Sequence, residues 1–166
     1  MLASDLWAMQ ANAIWAVYWF IISLLQHPSD YKRVLAEVQA AQDEWTCKHP
    51  DTPLTAASFP TFLTECADSF PLITSGITET LRIYTSAFSS RRVTTPTEFA
   101  GYHFEVGDEI VCNTRSIHLD EEIHENPHEF VLERYLDPTK KRTKNGSNVP
   151  NHTVPWGGGV SMCDGR

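Results

Sequence analysis

Trp156-Gly157-Gly158-Gly159-Val160-Ser161-Met162-Cys163-Asp164-Gly165-Arg166 closes the chain, and its reading decides the fold. Three consecutive glycines stand four to six residues before a cysteine, and another glycine stands two after it. Lacking Cβ atoms, Gly157, Gly159 and Gly165 let a backbone pass close to a flat ligand. A metal-bound thiolate at Cys163 gains from backbone N–H donors that moderate its charge, and a glycine-rich turn can aim them. The plainer alternative is a flexible loop with an incidental thiol, because short motifs arise by chance.

Outward from that loop, two weaker signals precede it. In Glu79-Thr80-Leu81-Arg82, the Glu and Arg share one helix face and can pair. On its own this reads as a surface ion pair. Leu132-Glu133-Arg134-Tyr135 on its own reads as a loop arginine in solvent.

Their order and spacing resemble the cytochrome P450 family. Its pattern is E-x-x-R on a helix, then a P-x-R-F-like segment, then F-x-x-G-x-x-x-C-x-G. Glu79 and Arg82 match the first element. Arg134 and Tyr135 match the second, with Leu132 in place of proline. Trp156, Gly159, Cys163 and Gly165 match the third, with Trp in place of Phe. Gly101-Tyr102 through Gly107-Asp108 looks like the family's strand pair, and Phe130 also fits. Leu6-Trp7-Ala8-Met9-Gln10-Ala11-Asn12, Arg91 and Val154-Pro155-Trp156-Gly157 look most like the branch holding cholesterol 7α-hydroxylase, sterol 12α-hydroxylase and prostacyclin synthase.

The resemblance implies a mainly α fold with small β-sheets, a partial P450 fold running from the central haem-side helix to the cysteine loop. It places residues 1–166 in one partial domain, with the N-terminal half and the helix after the cysteine loop absent. Cys163 becomes the axial thiolate of haem b, pushing electron density to the iron. Trp156 packs beside the haem, with Gly157, Gly159 and Gly165 in the surrounding loop. Glu79, Arg82 and Arg134 form a buried charged cluster that fixes architecture, expensive to bury and costly to break. Arg91 is a candidate donor to a haem propionate, with Arg92 as the neighbour that could replace it. Many members carry an acid–alcohol pair in the first helix. Here Ala11-Asn12-Ala13-Ile14-Trp15 has neither, so Asn12 is the candidate to hydrogen-bond oxygen ligand, water or substrate, and the proton route is unassigned.

The implied activity is a haem-thiolate monooxygenase acting on a lipophilic, sterol-like molecule. It would take electrons from NADPH-cytochrome P450 reductase on the cytosolic face of the endoplasmic reticulum membrane. The alternatives are a peroxide isomerase of the prostacyclin-synthase type and a truncated, non-catalytic haem-binding remnant. The isolated fragment is expected to be inactive and to expose large apolar patches.

Composition agrees with an ordinary globular chain. Of 166 residues, 42% are hydrophobic and 20% charged, which disfavours disorder, collagen and coiled coil. Thirteen basic against twenty-one acidic residues give a net charge of −8, so nucleic acid is not an expected partner. Cysteines at 47, 66, 112 and 163 form no C-x-x-C pair, which disfavours structural zinc, and their wide spacing disfavours a disulfide scaffold. A reducing compartment or cytosol-facing surface fits them.

Three helical regions are expected. The first, about Asp5 to Gln26, is apolar almost all round and predicts burial on most sides, with Gln10 and Asn12 needing partners. Its apolar run, Ala13 to Leu25, is too short to span a bilayer. Pro28 opens a second, amphipathic helix ending near Cys47. His49 to Pro60 is a connection. The third region has Pro71 near the start of its last segment and a buried stripe of Leu72, Ile73, Ile77 and Leu81. Phe88 to Val93 and Gly101 to Cys112 look like short strands, with a turn at Val106-Gly107-Asp108. Asp120 to Tyr135 and Asp137 to His152 are irregular. Lys140, Lys141, Arg142 and Lys144 read as a solvated loop, the alternative being a patch that steers an acidic reductase. His118 and His124 read as satisfied or solvated side chains, not metal ligands.

Overall fold

The structure, a computed structural model, describes residues 12–157. It is mainly helical with three two-stranded antiparallel sheets. The chain divides into two compact units. Among the described residues, one holds 12–81 together with Phe130–Lys140, and the other holds Arg82–Glu129 together with 141–157.

In the first unit, α1 (Ile14–Gln26) ends where His27 leaves helical geometry at φ −122°, and Pro28 starts α2 (Pro28–Lys48). Proline disfavours helical backbone in the residue before it, yet suits the first turn of the next helix. Asp30 in the first turn of α2 and Lys48 in its last complement the helix dipole. Val34, Ala41 and Trp45 form its buried stripe. Two small cores result. Phe20, Leu24, Val34 and Leu132 form one, and Ala41, Trp45, Phe62 and Cys66 form the other. Phe62 comes from α3 (Phe59–Glu65), a short helix inside the expected third region.

The expectation that the first helix is buried on most sides fails for its described part. Only Phe20, Ser23 and Leu24 are buried, whereas Ile14, Trp15, Val17, Tyr18, Ile21 and Leu25 are exposed. One stripe of α1 has packing partners in its unit, and the described residues offer no cover for the remainder. Exposed apolar surface on this scale matches the expected patches.

α4 (Pro71–Tyr84) starts where Glu37 of α2 caps it: Leu72 N–H donates to Glu37 Oε1 at 2.7 Å and Ile73 N–H to Oε2 at 3.1 Å. The expected apolar stripe is only half-buried. The sealed positions are Ser75, Gly76, Glu79, Thr80 and Arg82. This inversion has a physical cause. The polar face meets irregular backbone, which needs hydrogen-bond partners that an apolar face cannot give. At Gly76 an added Cβ would lie 2.5 Å from the Phe20 ring and 2.7 Å from Leu132 Cδ1, so the residue's smallness admits both core side chains.

In the second unit, β1 (Phe88–Arg92) pairs with β4 (Glu109–Asn113), and β2 (Thr97–Phe99) pairs with β3 (Tyr102–Phe104). The expected turn forms, with Gly107 at φ +103°. It joins strands that pair elsewhere, and Ala100-Gly101 makes the tight turn of the β2–β3 hairpin. A short α5 (Arg115–His118) follows, absent from the sequence reading. So is the β5 (Thr143–Lys144)–β6 (Ser147–Asn148) hairpin, turned by Asn145-Gly146 with both residues at positive φ.

Candidate functional site

The first unit carries Glu79 and Arg134. Glu79 is fully buried and accepts Arg134 Nε–H at 2.8 Å and Val131 N–H at 3.1 Å, both through Oε1. The Arg134 side chain is only 5% exposed. One turn earlier on α4, Ser75 donates to Leu132 O at 2.5 Å and accepts Tyr135 N–H at 3.0 Å. Two polar side chains of α4 thus tie down the main chain of residues 131–135, a segment with no ladder of its own. Glu133, between them, points outward and pairs with Arg33 of α2.

The second unit carries Arg82. Its guanidinium donates to His118 O at 2.7 Å, Pro127 O at 2.6 Å and Glu129 O at 3.4 Å. A planar fork with five donors suits several carbonyls at once. The positive charge sits fully buried among main-chain dipoles.

Two histidines join this unit's core. His118 and His124 are both fully buried. Val154 N–H donates to His118 Nε2 at 3.0 Å, so the neutral ring carries its proton on Nδ1. His124 Nε2–H donates to His152 O at 3.1 Å, leaving its lone pair on Nδ1. Burial, with Arg82 nearby, lowers the His118 pKa from the ordinary 6.5 to about 4. Burial, together with Arg82 and Arg142, lowers that of His124 to about 3. Both rings are neutral near pH 7. Of the two sequence readings, satisfied or solvated, the structure bears out the first through Nε2, while their full burial goes unsignalled because neither histidine sits on a periodic apolar face. Among the described residues, no group of three or more His, Cys, Asp or Glu side chains could hold a metal.

The remaining expected site residues lie as follows. Trp156 and Gly157 are half-buried at the end of the described chain, with Gly157 at φ +74° and its N–H on Val154 O at 3.3 Å. Gly159, Cys163 and Gly165 lie outside the described residues, as does Gln10. Asn12 is exposed, so the expected burial of its amide does not hold where α1 begins. Arg91 is exposed too, and its Nη1 turns back to Ser89 Oγ at 2.9 Å and Ser90 O at 2.8 Å on its own strand. Neighbouring Arg92 pairs in register with Glu109. The basic loop is not uniformly solvated. Arg142 is buried and donates to Ile123 O at 3.4 Å. Lys144 pairs with Asp120, and that hydrogen bond holds the Asp120 carboxyl below its usual range. Only Lys140 and Lys141 of the four basic side chains stay exposed without an ion pair among the described residues.

The family sequence model described as "Cytochrome P450" matches residues 5–166. The chain belongs to the cytochrome P450 family. It is 30% identical to rat 25-hydroxycholesterol 7-alpha-hydroxylase, over 97% of this chain and 39% of that protein. It is 30% identical to human 7-alpha-hydroxycholest-4-en-3-one 12-alpha-hydroxylase, over 97% and 33% of the two chains. It is 29% identical to human prostacyclin synthase, over 99% and 34%. Among solved structures, cyanobacterial CYP120A1 bound to retinoic acid superposes with a TM-score of 0.65 at 27% identity, over 89% of this chain and 30% of that one. A zebrafish cytochrome P450 with abiraterone gives 0.61 at 26% identity, over 90% and 31%. This P450 chain therefore spans between about a third and two-fifths of these curated relatives' lengths, and its fold is a partial P450 fold.

The family implies a haem. The described part of the cysteine loop fits one. Gly157 turns at a positive φ that side chains rarely adopt, and it follows half-buried Trp156, whose indole is flat and largely apolar. Cys163 is the thiol of the family motif in the sequence.

Proposed function

We propose that this P450 chain carries the cysteine-loop side of a haem-thiolate monooxygenase that hydroxylates a lipophilic, sterol-like substrate. The observation that carries the reading is the family match across residues 5–166, which takes in Cys163. Similarity to two sterol hydroxylases supports the substrate class.

In this reading Cys163 holds haem b through its thiolate, and Trp156, Gly157, Gly159 and Gly165 shape the loop around it. The bound haem supplies dioxygen activation, to which thiolate ligation contributes electron density. Glu79, Arg82 and Arg134 hold the main chain in place and do no chemistry. Electrons come from NADPH-cytochrome P450 reductase, with exposed Lys140 and Lys141 as the cationic remainder available to an acidic partner. The setting is the cytosolic face of the endoplasmic reticulum. Among the described residues, no helix is long and apolar enough to cross a membrane.

A second reading is a peroxide isomerase. Similarity to prostacyclin synthase favours it, as does Ala11-Asn12-Ala13-Ile14-Trp15, which lacks an acid–alcohol pair for proton delivery. Turnover of haem-loaded protein separates the two. NADPH consumption with reductase that rises on adding sterols supports the monooxygenase. Rearrangement of a lipid endoperoxide with neither NADPH nor reductase overturns it in favour of the isomerase.

A further inference from the structure

We propose that His118 and His124 are positioning residues, a two-point clamp on the main chain of residues 152–154 that sets the direction in which the chain runs into the glycine–cysteine loop. Its bearing on the haem rests on the function proposed above.

The clamp grips adjoining main-chain groups with opposite polarity. His124 Nε2–H donates to His152 O at 3.1 Å, and His118 Nε2 accepts Val154 N–H at 3.0 Å. Holding a carbonyl and the amide two residues on fixes both the position and the roll of the segment. Val154 O then accepts Gly157 N–H, and Gly157 turns at φ +74°. Val154 stands nine residues before Cys163.

The main chain that carries each imidazole is itself anchored. Main-chain bonds fix where each ring starts: the His118 main-chain N–H donates to Thr114 O at 3.0 Å, and its carbonyl receives Arg82 at 2.7 Å. The His124 N–H donates to Asp120 O at 2.8 Å. Arg82 therefore reaches residue 154 through His118, one ring away. The two rings have opposite tautomers, each imposed by the main-chain group it meets. Among the described residues, the buried Nδ1 of each ring meets no hydrogen-bond partner, so each ring holds the segment through Nε2. Among the described residues, the charged and titratable groups facing the rings are Arg82, Arg115 and Arg142, with His152 of the clamped segment. Burial first, then the Arg82 and Arg115 charges, oppose protonation of His118 and outweigh the Arg82 main-chain contact that favours it, which keeps Nε2 free to accept.

The test uses the full chain. Hydrogen exchange over residues 150–157 is expected to speed up by at least about tenfold at Val154 in His118→Phe, since the acceptor is gone. His118→Gln, whose amide oxygen can stand where Nε2 stands, restores it. Unchanged Val154 exchange in a folded His118→Phe overturns the clamp. Nitrogen-15 NMR of the wild-type imidazoles depends on no variant folding. An unprotonated Nε2 in His118 and a protonated Nε2 in His124 support the clamp, and the reverse in either ring overturns it. With haem bound, His118→Phe is expected to release haem at least about tenfold faster than wild type and His118→Gln. Equal release overturns the positioning role. A wild-type chain that takes up no haem instead refutes the proposed function, while the exchange and NMR readouts still decide the clamp.

Discussion

Arg134 donates its Nε–H to Glu79 Oε1 at 2.8 Å, across a contact that leaves Glu79 fully buried and the Arg134 side chain 5% exposed. A pair this dry is strong evidence of dependence and weak evidence of net stabilisation. Removing one partner takes from the other buried charge its ion-pair contact, at a cost of about 3–5 kcal/mol. Glu79→Ala is therefore expected to lower unfolding stability by that amount, and it also orphans Val131 N–H. Urea unfolding checks this, and a loss no larger than an exposed pair gives, about 1 kcal/mol or less, would contradict it.

Arg82 is expected to tolerate no amine in its place. Its fork reaches the carbonyls of His118, Pro127 and Glu129, whereas lysine brings one compact ammonium. Arg82→Lys should cost about 2 kcal/mol or more, since hydrogen bonds to charged groups contribute about 1.5–3 kcal/mol each. Exchange of amides across residues 118–129 should accelerate together. Acceleration confined to residues beside position 82 would count against a shared anchor.

Gly76→Ala tests whether close approach or helix propensity governs α4. Alanine gains up to about 1 kcal/mol of propensity. The new Cβ meets Phe20 at 2.5 Å and Leu132 at 2.7 Å, in a core where overpacking costs about 1–3 kcal/mol. Net destabilisation is expected in thermal unfolding, with Phe20→Leu partly relieving it. A raised melting temperature would show that the ring moves freely.

Stability should fall in acid through the buried histidines. Each is held neutral in the folded chain, His118 down to about pH 4 and His124 to about pH 3, while in the unfolded chain each takes its proton near 6.5. The unfolded state therefore binds more protons below 6.5. The contribution is intact above that pH and is lost as pH drops toward 4 and 3, by about 1.4 kcal/mol per pH unit for each ring. Replacing His118 with Gln should flatten the dependence between pH 6 and 4. An unaltered slope would mean that other groups carry it.

Much of the fold was legible because it obeys simple periodicity. Pro28 marks the α1–α2 boundary, and the amphipathic character of α2 is borne out by its buried stripe of Val34, Ala41 and Trp45. The failures share a cause. The stripe read from Leu72, Ile73, Ile77 and Leu81 overlooked that irregular backbone recruits Ser75, Glu79 and Arg82 as its hydrogen-bond partners. Glu37 of α2 caps α4, a contact 35 residues away that no local pattern encodes. His118, His124 and Arg142 were hidden for the same reason, since each is buried by what it bonds and not by its own periodicity. The β2–β3 hairpin escaped because Ala100 takes positive φ, which residue type alone rarely signals.

The most direct measurement is the reduced carbon monoxide difference spectrum of the haem-loaded chain. A thiolate-type Soret band in the wild type, abolished by Cys163→Ala, is the expected result. An imidazole-like band in the wild type, or a thiolate-type band that survives Cys163→Ala, would contradict ligation by this cysteine.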